Sequence, residues 1–159
     1  MIIISDTTTI TNLWKIVRLD ILRQLYGVVI IPKAVWDELT AIPQQAIDLV
    51  QQNWIQVQLP NNQAFFYQLL QELDEGESEA IALSVELNAD YLIIDETLGR
   101  KKARSLQIKV IGLLGILLLA KQQNLISELK SILEELENRA GFFIHPALYK
   151  EVLELARES

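Results

Sequence analysis

Five short runs rich in β-branched residues recur along the chain, and each is followed by a stretch with helical spacing. The runs are IIIS (2–5), VVII (28–31), WIQVQ (54–58), YLII (91–94) and KVI (109–111). This alternation is typical of βα units, in which right-handed crossovers bring successive strands into one parallel sheet. The sequence therefore predicts a three-layer α/β/α fold with a central, mainly parallel sheet of four to five strands.

The composition is that of an ordinary globular domain. Half of the 159 residues are hydrophobic, and the chain has six glycines, four prolines and no cysteine. Disulfide-rich, collagen-like and disordered classes are therefore excluded. We expect a single domain over residues 1–159, in which 120–159 form a helical C-terminal extension.

Two features of the sequence bear on localisation. The most apolar run, VIGLLGILLLA (110–120), is about half the ~20 residues that a membrane-spanning helix needs. The N-terminus lacks the basic region and the length of a signal peptide. We therefore expect a cytoplasmic protein with no membrane partner.

The distribution of basic residues restricts how the chain could bind a polyanion. The net charge of −7 argues against a surface that binds nucleic acid everywhere, since such binding requires Lys and Arg to neutralise phosphates. One segment, 97–109, nevertheless carries five basic residues and no acid: Arg100, Lys101, Lys102, Arg104 and Lys109. It either holds a phosphate backbone or is an ordinary solvated helix face.

Several acidic residues stand out by their positions. Asp6 ends the first run and Asp95 ends YLII, so both are predicted at the same edge of a parallel sheet. Glu77 and Glu79 lie in the first turn of a predicted helix, and Glu38 lies near the end of the helix in PKAVWDEL. Helix capping is a sufficient explanation for Asp6 or Asp95 taken alone, and the helix dipole is one for Glu77 or Glu79.

A cluster of several such carboxylates at one place is harder to explain by a structural role. Two like charges ~5 Å apart repel by roughly 3 kcal/mol at an effective dielectric constant of ~20, so a cluster of carboxylates needs a cation. Oxygen ligands, with no cysteine and one histidine in the chain, indicate Mg²⁺ or Mn²⁺. Such a site can activate water for phosphodiester hydrolysis.

Four segments in order, SDTTTITNL, WDEL, GESEAIAL and IIDETLGRKKA, resemble those of the PIN-domain ribonucleases. Within that family, the chain most resembles a prokaryotic branch whose members are predicted to bind nucleic acid. The proteins of this branch are similar to the toxins of toxin–antitoxin pairs. It covers essentially the whole chain, including the tail from AGFFI to LYKEVLEL. It implies a metal-dependent endoribonuclease with RNA as substrate, and with an antitoxin protein and a second copy of the chain as further partners.

The resemblance also implies roles for individual residues. The catalytic and metal-binding set is Asp6, Glu38, Glu79 and Asp95. The side chains that support this set are Thr7 and Glu77, and Glu77 competes with Glu79 for the ligand position. The nucleic-acid-binding residues are Arg100, Lys101, Lys102 and Arg104. Ile93 stands where many toxins of this family carry a threonine, so the hydroxyl expected near Asp95 is missing from that position.

Other interpretations remain open or are excluded. The absent hydroxyl and the net negative charge also fit a non-catalytic nucleic-acid- or protein-binding module that keeps the PIN fold. A haloacid-dehalogenase phosphatase is excluded, because Thr8 occupies the position of its second aspartate. The tail residues Phe142, Phe143 and Tyr149 fit either the core or an interface, and we favour the core.

Overall fold

A five-stranded, wholly parallel sheet forms the centre of the computed structural model, which describes residues 1–158. Its strands are β1 (Ile3–Ser5), β2 (Val29–Pro32), β3 (Ile55–Gln58), β4 (Tyr91–Ile93) and β5 (Val110–Ile111). Their order in the sheet is β3-β2-β1-β4-β5. The predicted strands and the predicted fold class are therefore confirmed, and β3 and β5 are the edge strands.

Helices fill the connections between strands and form the C-terminal part of the chain. They are α1 (Thr7–Lys15), α2 (Asp20–Tyr26), α3 (Lys33–Thr40), α4 (Pro43–Leu49), α5 (Gln63–Leu69), α6 (Glu75–Leu87), α7 (Thr97–Ser105), α8 (Leu113–Gln122), α9 (Leu129–Arg139) and α10 (Pro146–Leu155). None of the helices within residues 1–158 is both long enough and apolar enough to cross a bilayer.

Two hydrophobic clusters, one on each face, hold the sheet between the helices. Ile3 belongs to the first cluster and Ile4 to the second, because successive side chains of a strand point to opposite faces. Helices α1, α2, α3, α4, α8, α9 and α10 contribute to the first cluster, whereas α5, α6 and α7 contribute to the second. The segment after residue 120 packs into the first cluster through buried side chains such as Leu133 and Val152.

The centre of the sheet contains the point where the strand order reverses. The chain runs from β1 outward through β2 to β3, and then crosses to β4 and β5 on the other side of β1. Strands β1 and β4 are paired in register, with Ser5 opposite Ile93, and the Asp6 amide donates to the Ile93 carbonyl at 2.9 Å. Open α/β sheets bind their ligands at such a switch point. Asp6 and Asp95 both follow strands that end there.

The tail differs from the sequence-based expectation at one residue. The apolar side chains of α8 include the buried Leu113, Ile116 and Leu117. Phe142 and Tyr149 are partly buried against the first cluster, but Phe143 is 78% exposed, so its expected place in the core is wrong. The physical reason lies in the non-helical segment 141–145: Ile144 is directed into the core, which leaves its neighbour Phe143 facing water.

Candidate functional site

A small acidic pocket of about 90 Å³ lies at the switch point of the sheet. It is lined by residues that follow β1 and by residues of α3, the start of α6 and the start of α7. They are Asp6, Thr7, Thr8, Val35, Glu38, Asp74, Gly76, Glu77 and Glu96. We call this cavity the acidic pocket. Five of its nine lining residues are carboxylates.

Asp6 is the most buried acid of the pocket, with 5% of its surface exposed. It is the N-cap of α1, because its Oδ1 accepts a hydrogen bond from the Thr9 amide at 3.3 Å. Its Oδ2 accepts from the Asp95 amide at 3.2 Å. Burial and the nearby charge of Asp95 raise the pKa of Asp6 to about 7. Asp6 therefore links the ends of β1 and β4 while its negative charge is poorly compensated.

Asp95 lies beside Asp6 and is oriented by two donors. The Thr9 hydroxyl donates to Asp95 Oδ2 at 3.1 Å, and the Leu113 amide donates to Oδ1 at 3.1 Å. The side chain at position 93, an isoleucine, is buried in the first hydrophobic cluster. Thr9 thus supplies the hydroxyl that Ile93 lacks. Sequence reasoning missed Thr9, although its place one helical turn after Asp6 in the TTT run was the available signal.

Glu38 reaches the pocket from α3. The Thr7 hydroxyl donates to Glu38 Oε2 at 3.0 Å, so the expected hydroxyl after Asp6 contacts another acid of the predicted set. The other oxygen, Oε1, lies against the first turn of α6. A Cβ atom at Gly76 would stand only 2.9 Å from this oxygen. Glycine at position 76 therefore leaves the space that Glu38 occupies.

Glu77 lines the same pocket from the first turn of α6. Its amide donates to Asp74 Oδ1 at 2.8 Å and its Oε1 accepts from the Asp74 amide at 3.4 Å, which makes a capping box. Burial raises the pKa of Glu77 to about 7, together with the charges of Asp74 and Glu96. A Cβ atom at Gly99 would lie 2.8 Å from Glu77 Oε2, so a second glycine makes room for a second carboxylate.

Glu79 is directed away from the acidic pocket. Its Oε1 accepts a hydrogen bond from the Ala34 amide at 2.8 Å, at the N-terminus of α3, and burial raises its pKa. Residues two apart on a helix are separated by about 200° around the axis, so Glu77 and Glu79 face different surroundings. The structure brings Asp6, Glu38 and Glu77 together at the pocket, with Asp95 beside Asp6. It does not bring Glu79 there.

No basic side chain neutralises the acidic pocket in the part of the chain that the structure describes. The ion pairs within residues 1–158 are Lys33–Asp37, Lys102–Glu72 and Lys121–Glu158, and none includes an acid of the pocket. No three acidic or histidine side chains of the same residues are placed to hold one metal ion as they stand. The donor set is nevertheless all carboxylate oxygen, which by its chemistry fits a hard divalent cation.

The predicted basic residues of α7 have three different environments. Arg100 lies closest to the site, since its Nη1 donates to the Ile94 carbonyl at 2.8 Å and its side chain borders the same cavity as Asp95. Lys101 and Arg104 are exposed. Lys102 forms an ion pair with Glu72 at 3.3 Å. Among these four residues of α7, Arg100 is therefore the one that lines a cavity together with an acid of the candidate site.

The whole chain, apart from one residue at each end, matches a known family. A family model described as a PIN domain covers residues 2–158, and the chain therefore belongs to the PIN-domain family. This confirms the resemblance drawn from the four sequence segments. PIN domains are nuclease-type modules that typically use divalent metal ions. No curated protein and no solved structure matches the chain.

Proposed function

We propose that this protein is a metal-dependent endoribonuclease that hydrolyses phosphodiester bonds of RNA at the acidic pocket. The observation that carries the proposal is the convergence of Asp6, Glu38 and Glu77 from three separate elements, beside Asp95 and without a basic partner in residues 1–158. Repulsion among these carboxylates is unfavourable unless a cation offsets it. Membership of the PIN-domain family supports the same function.

The residues proposed to hold Mg²⁺ or Mn²⁺ are Asp6, Glu38, Glu77 and Asp95. Glu77 takes the place expected for Glu79, because Glu77 lines the pocket whereas the Glu79 carboxylate caps α3. A bound divalent cation supplies counter-charge and Lewis acidity for the hydrolysis of a phosphodiester. Because a cation favours the ionised carboxylates, its binding would release the protons that Asp6 and Glu77 hold near pH 7.

Other side chains of the protein would position the reacting groups. The hydroxyls of Thr7 and Thr9 fix the orientation of Glu38 and Asp95 through hydrogen bonds of 3.0 and 3.1 Å. Arg100, Lys101 and Arg104 would hold phosphates of the RNA strand beside the pocket, since α7 starts two residues after Asp95. Lys102 would contribute less, because it is engaged with Glu72.

The test uses two glutamate variants of the same helical turn. The Glu77→Gln and Glu79→Gln substitutions each remove one charge and keep an oxygen that can accept the original hydrogen bond. In wild type, Mn²⁺ at a hundred times its dissociation constant adds about 2.7 kcal/mol, which raises the thermal midpoint by roughly 5 to 10 °C. We expect Glu77→Gln to lose this shift and the Mn²⁺-dependent cleavage of a fluorescently labelled RNA. Glu79→Gln should keep both.

The reverse pattern, with Glu79→Gln inactive and Glu77→Gln active, would restore the ligand set expected from the sequence. A second candidate function is a non-catalytic binding module, and it is favoured by the absence of a complete ligand set among residues 1–158. RNA affinity that persists in EDTA, with no cleavage on addition of Mn²⁺ or Mg²⁺, would support this second function and reject the nuclease.

Two further partners, an antitoxin protein and a second copy of the chain, are proposed only because the chain belongs to the PIN-domain family. A toxin role would be supported by a small protein encoded beside this chain that suppresses its RNA cleavage when the two are expressed together. A homodimer would be detected as twice the mass of the 18.1 kDa chain in sedimentation equilibrium.

A further inference from the structure

A second cavity of about 400 Å³ adjoins the candidate site, and Asp95 borders it. Its volume lies in the range of small-molecule pockets. The walls are mainly apolar and come from β5, α8 and the non-helical segment 141–145, with Phe142, Phe143 and Ile144 among them. The charged side chains that line it are Asp95 and Arg100. We call this cavity the aromatic pocket.

Gly112 allows the charged and apolar parts of the aromatic pocket to meet. A Cβ atom at this position would stand 2.5 Å from Asp95 Oδ1 and 2.9 Å from Arg100 Nη1. Any larger residue would therefore displace one of the two charged groups. The result is a cavity with an acid of the candidate site and a guanidinium at one side, and aromatic carbon at the other.

Phe143 is presented to water by a segment that is fixed on both sides. Before it, Gly141 adopts a φ of 68° and the Phe142 amide donates to the Leu136 carbonyl at 2.9 Å. After it, Ile144 is 3% exposed, and His145 Nδ1 accepts from the Ala147 amide at 3.2 Å to cap α10. The Phe143 ring itself is 78% exposed. Exposed aromatic rings combined with cationic side chains are what proteins use to stack nucleobases, and Phe143 and Arg100 line the same cavity.

We propose that the aromatic pocket binds an unpaired nucleobase of single-stranded RNA, stacked on Phe143, with the adjoining phosphate at Arg100. A nucleotide matches the pocket because it joins a flat apolar base to an anionic phosphate, and the pocket joins an aromatic wall to a guanidinium. The base must be unpaired, since the faces of bases inside a duplex are already stacked on their neighbours. The proposal rests on the proposed function, and it names the side chains that would hold one nucleotide of the RNA next to Asp95.

The test measures RNA binding without metal, so that it does not depend on cleavage. The probe is a fluorescently labelled single-stranded oligonucleotide of about eight nucleotides, matched to the site size of stacking grooves. Its anisotropy is followed in EDTA with wild type, Phe143→Ala, Phe143→Trp and Tyr67→Ala. Tyr67 is the matched control, because it is an aromatic residue that is 64% exposed and lies on α5, outside both pockets.

The expected result is a loss of affinity of roughly 10-fold in Phe143→Ala, as for other stacking residues. Phe143→Trp should keep the affinity, and its added tryptophan fluorescence should be quenched when RNA binds. Tyr67→Ala should bind as wild type does. A duplex of the same sequence should bind equally to wild type and Phe143→Ala, because its bases are not available for stacking. Equal thermal midpoints of the variants would show that the fold is intact, as the exposure of Phe143 leads us to expect.

Three results would overturn the proposal. The first is equal affinity of wild type and Phe143→Ala for the single strand, and the second is no binding of the single strand by wild type. The third is a Phe143→Ala variant that changes the sedimentation mass but not the RNA affinity, which would assign the ring to contact between copies of the chain. A Phe143-dependent affinity without cleavage in Mn²⁺ would keep the nucleobase site and reject the proposed nuclease.

Discussion

Glu158 and Asp6 are two poorly exposed carboxylates in opposite electrostatic environments. Glu158 accepts hydrogen bonds from the Leu129 amide at 2.7 Å, the Lys130 amide at 3.0 Å and the Lys121 ammonium at 2.9 Å. Although burial raises the pKa of Glu158, these donors lower it below its ordinary value. Asp6 accepts from two backbone amides but faces Asp95, and its pKa is raised to about 7.

The difference separates a structural acid from a candidate functional one. The cation and amide donors around Glu158 allow its ionised form to join the end of the chain to α8 and α9. At the acidic pocket the carboxylates Asp6, Glu38 and Glu77 have no basic partner within residues 1–158. Glu158 shows that this fold can provide a cationic partner for a poorly exposed carboxylate. The carboxylates at the switch point have no such partner within residues 1–158, and this contrast indicates that their charge serves to bind a ligand.

The largest expected effect concerns the pH dependence of stability at Asp6. Because its folded pKa of about 7 exceeds the ordinary value of 3.8, the folded state keeps a proton that the unfolded chain releases between these pH values. The unfolding free energy of wild type in EDTA should therefore fall relative to that of Asp6→Asn as the pH rises from 4 to 7. We expect a relative change of about 2 to 4 kcal/mol, measured by urea denaturation at several pH values.

Two further measurements on Asp6 sharpen the comparison. Well above pH 7 the difference between wild type and Asp6→Asn should become constant, because Asp6 is then ionised in both the folded and the unfolded state. Addition of Mn²⁺ should stabilise wild type and leave Asp6→Asn unchanged. If the difference in unfolding free energy between wild type and Asp6→Asn does not vary between pH 4 and 7, the pKa of Asp6 is not raised. The contrast with Glu158 would then be wrong.

The second prediction tests the compensated site. Glu158→Gln removes the charge that holds Lys121 and weakens the hydrogen bonds from the Leu129 and Lys130 amides. We expect a loss of about 2 kcal/mol at pH 7, the value of a charged hydrogen bond, which lowers the thermal midpoint by roughly 4 to 8 °C. Since the folded pKa of Glu158 is lowered, the loss should shrink as the pH falls below 4.5.

The response of Glu158→Gln to metal provides its control. The variant should gain as much thermal stability from Mn²⁺ as wild type does, because residue 158 lies outside the acidic pocket. A smaller gain would contradict the separation of the two sites.

The smallest predicted effect concerns the hydroxyl of Thr9. Thr9→Val removes the donor that orients Asp95, so we expect about a 10-fold weaker affinity for Mn²⁺, as when supporting residues of metal sites are changed. Stability without metal should change by no more than about 1 kcal/mol. Calorimetric titration of Mn²⁺ measures the affinity. Thr9→Ser keeps a hydroxyl and should bind Mn²⁺ nearly as wild type does; equal affinities of all three proteins would exclude a role for the hydroxyl.

Much of the fold could be predicted because its signals are local. Alternating strand and helix patterns report which side chains each element can bury, and right-handed crossovers then leave few topologies open. The same logic placed Asp6 and Asp95 at one edge of the sheet. These inferences need only the order of elements along the chain, since the ends of neighbouring parallel strands must meet.

The remaining parts of the candidate site depend on how distant elements pack together. Glu77 and Glu79 share one helical turn, and the sequence cannot determine which of them faces the pocket until α6 is packed against α3. The hydroxyl at Asp95 comes from Thr9, 86 positions earlier in the chain, rather than from position 93.

Phe143 belongs to the same class of undetermined features. Its hydrophobic side chain favours burial, yet it is exposed because Ile144 takes the core position beside it. The sequence by itself determined the order of strands and helices and the edge at which the acids gather, because those follow from periodicity and chain direction. Only the tertiary structure decided which side chain fills each place at that edge, because that depends on how helices from distant parts of the chain rotate and pack against the sheet.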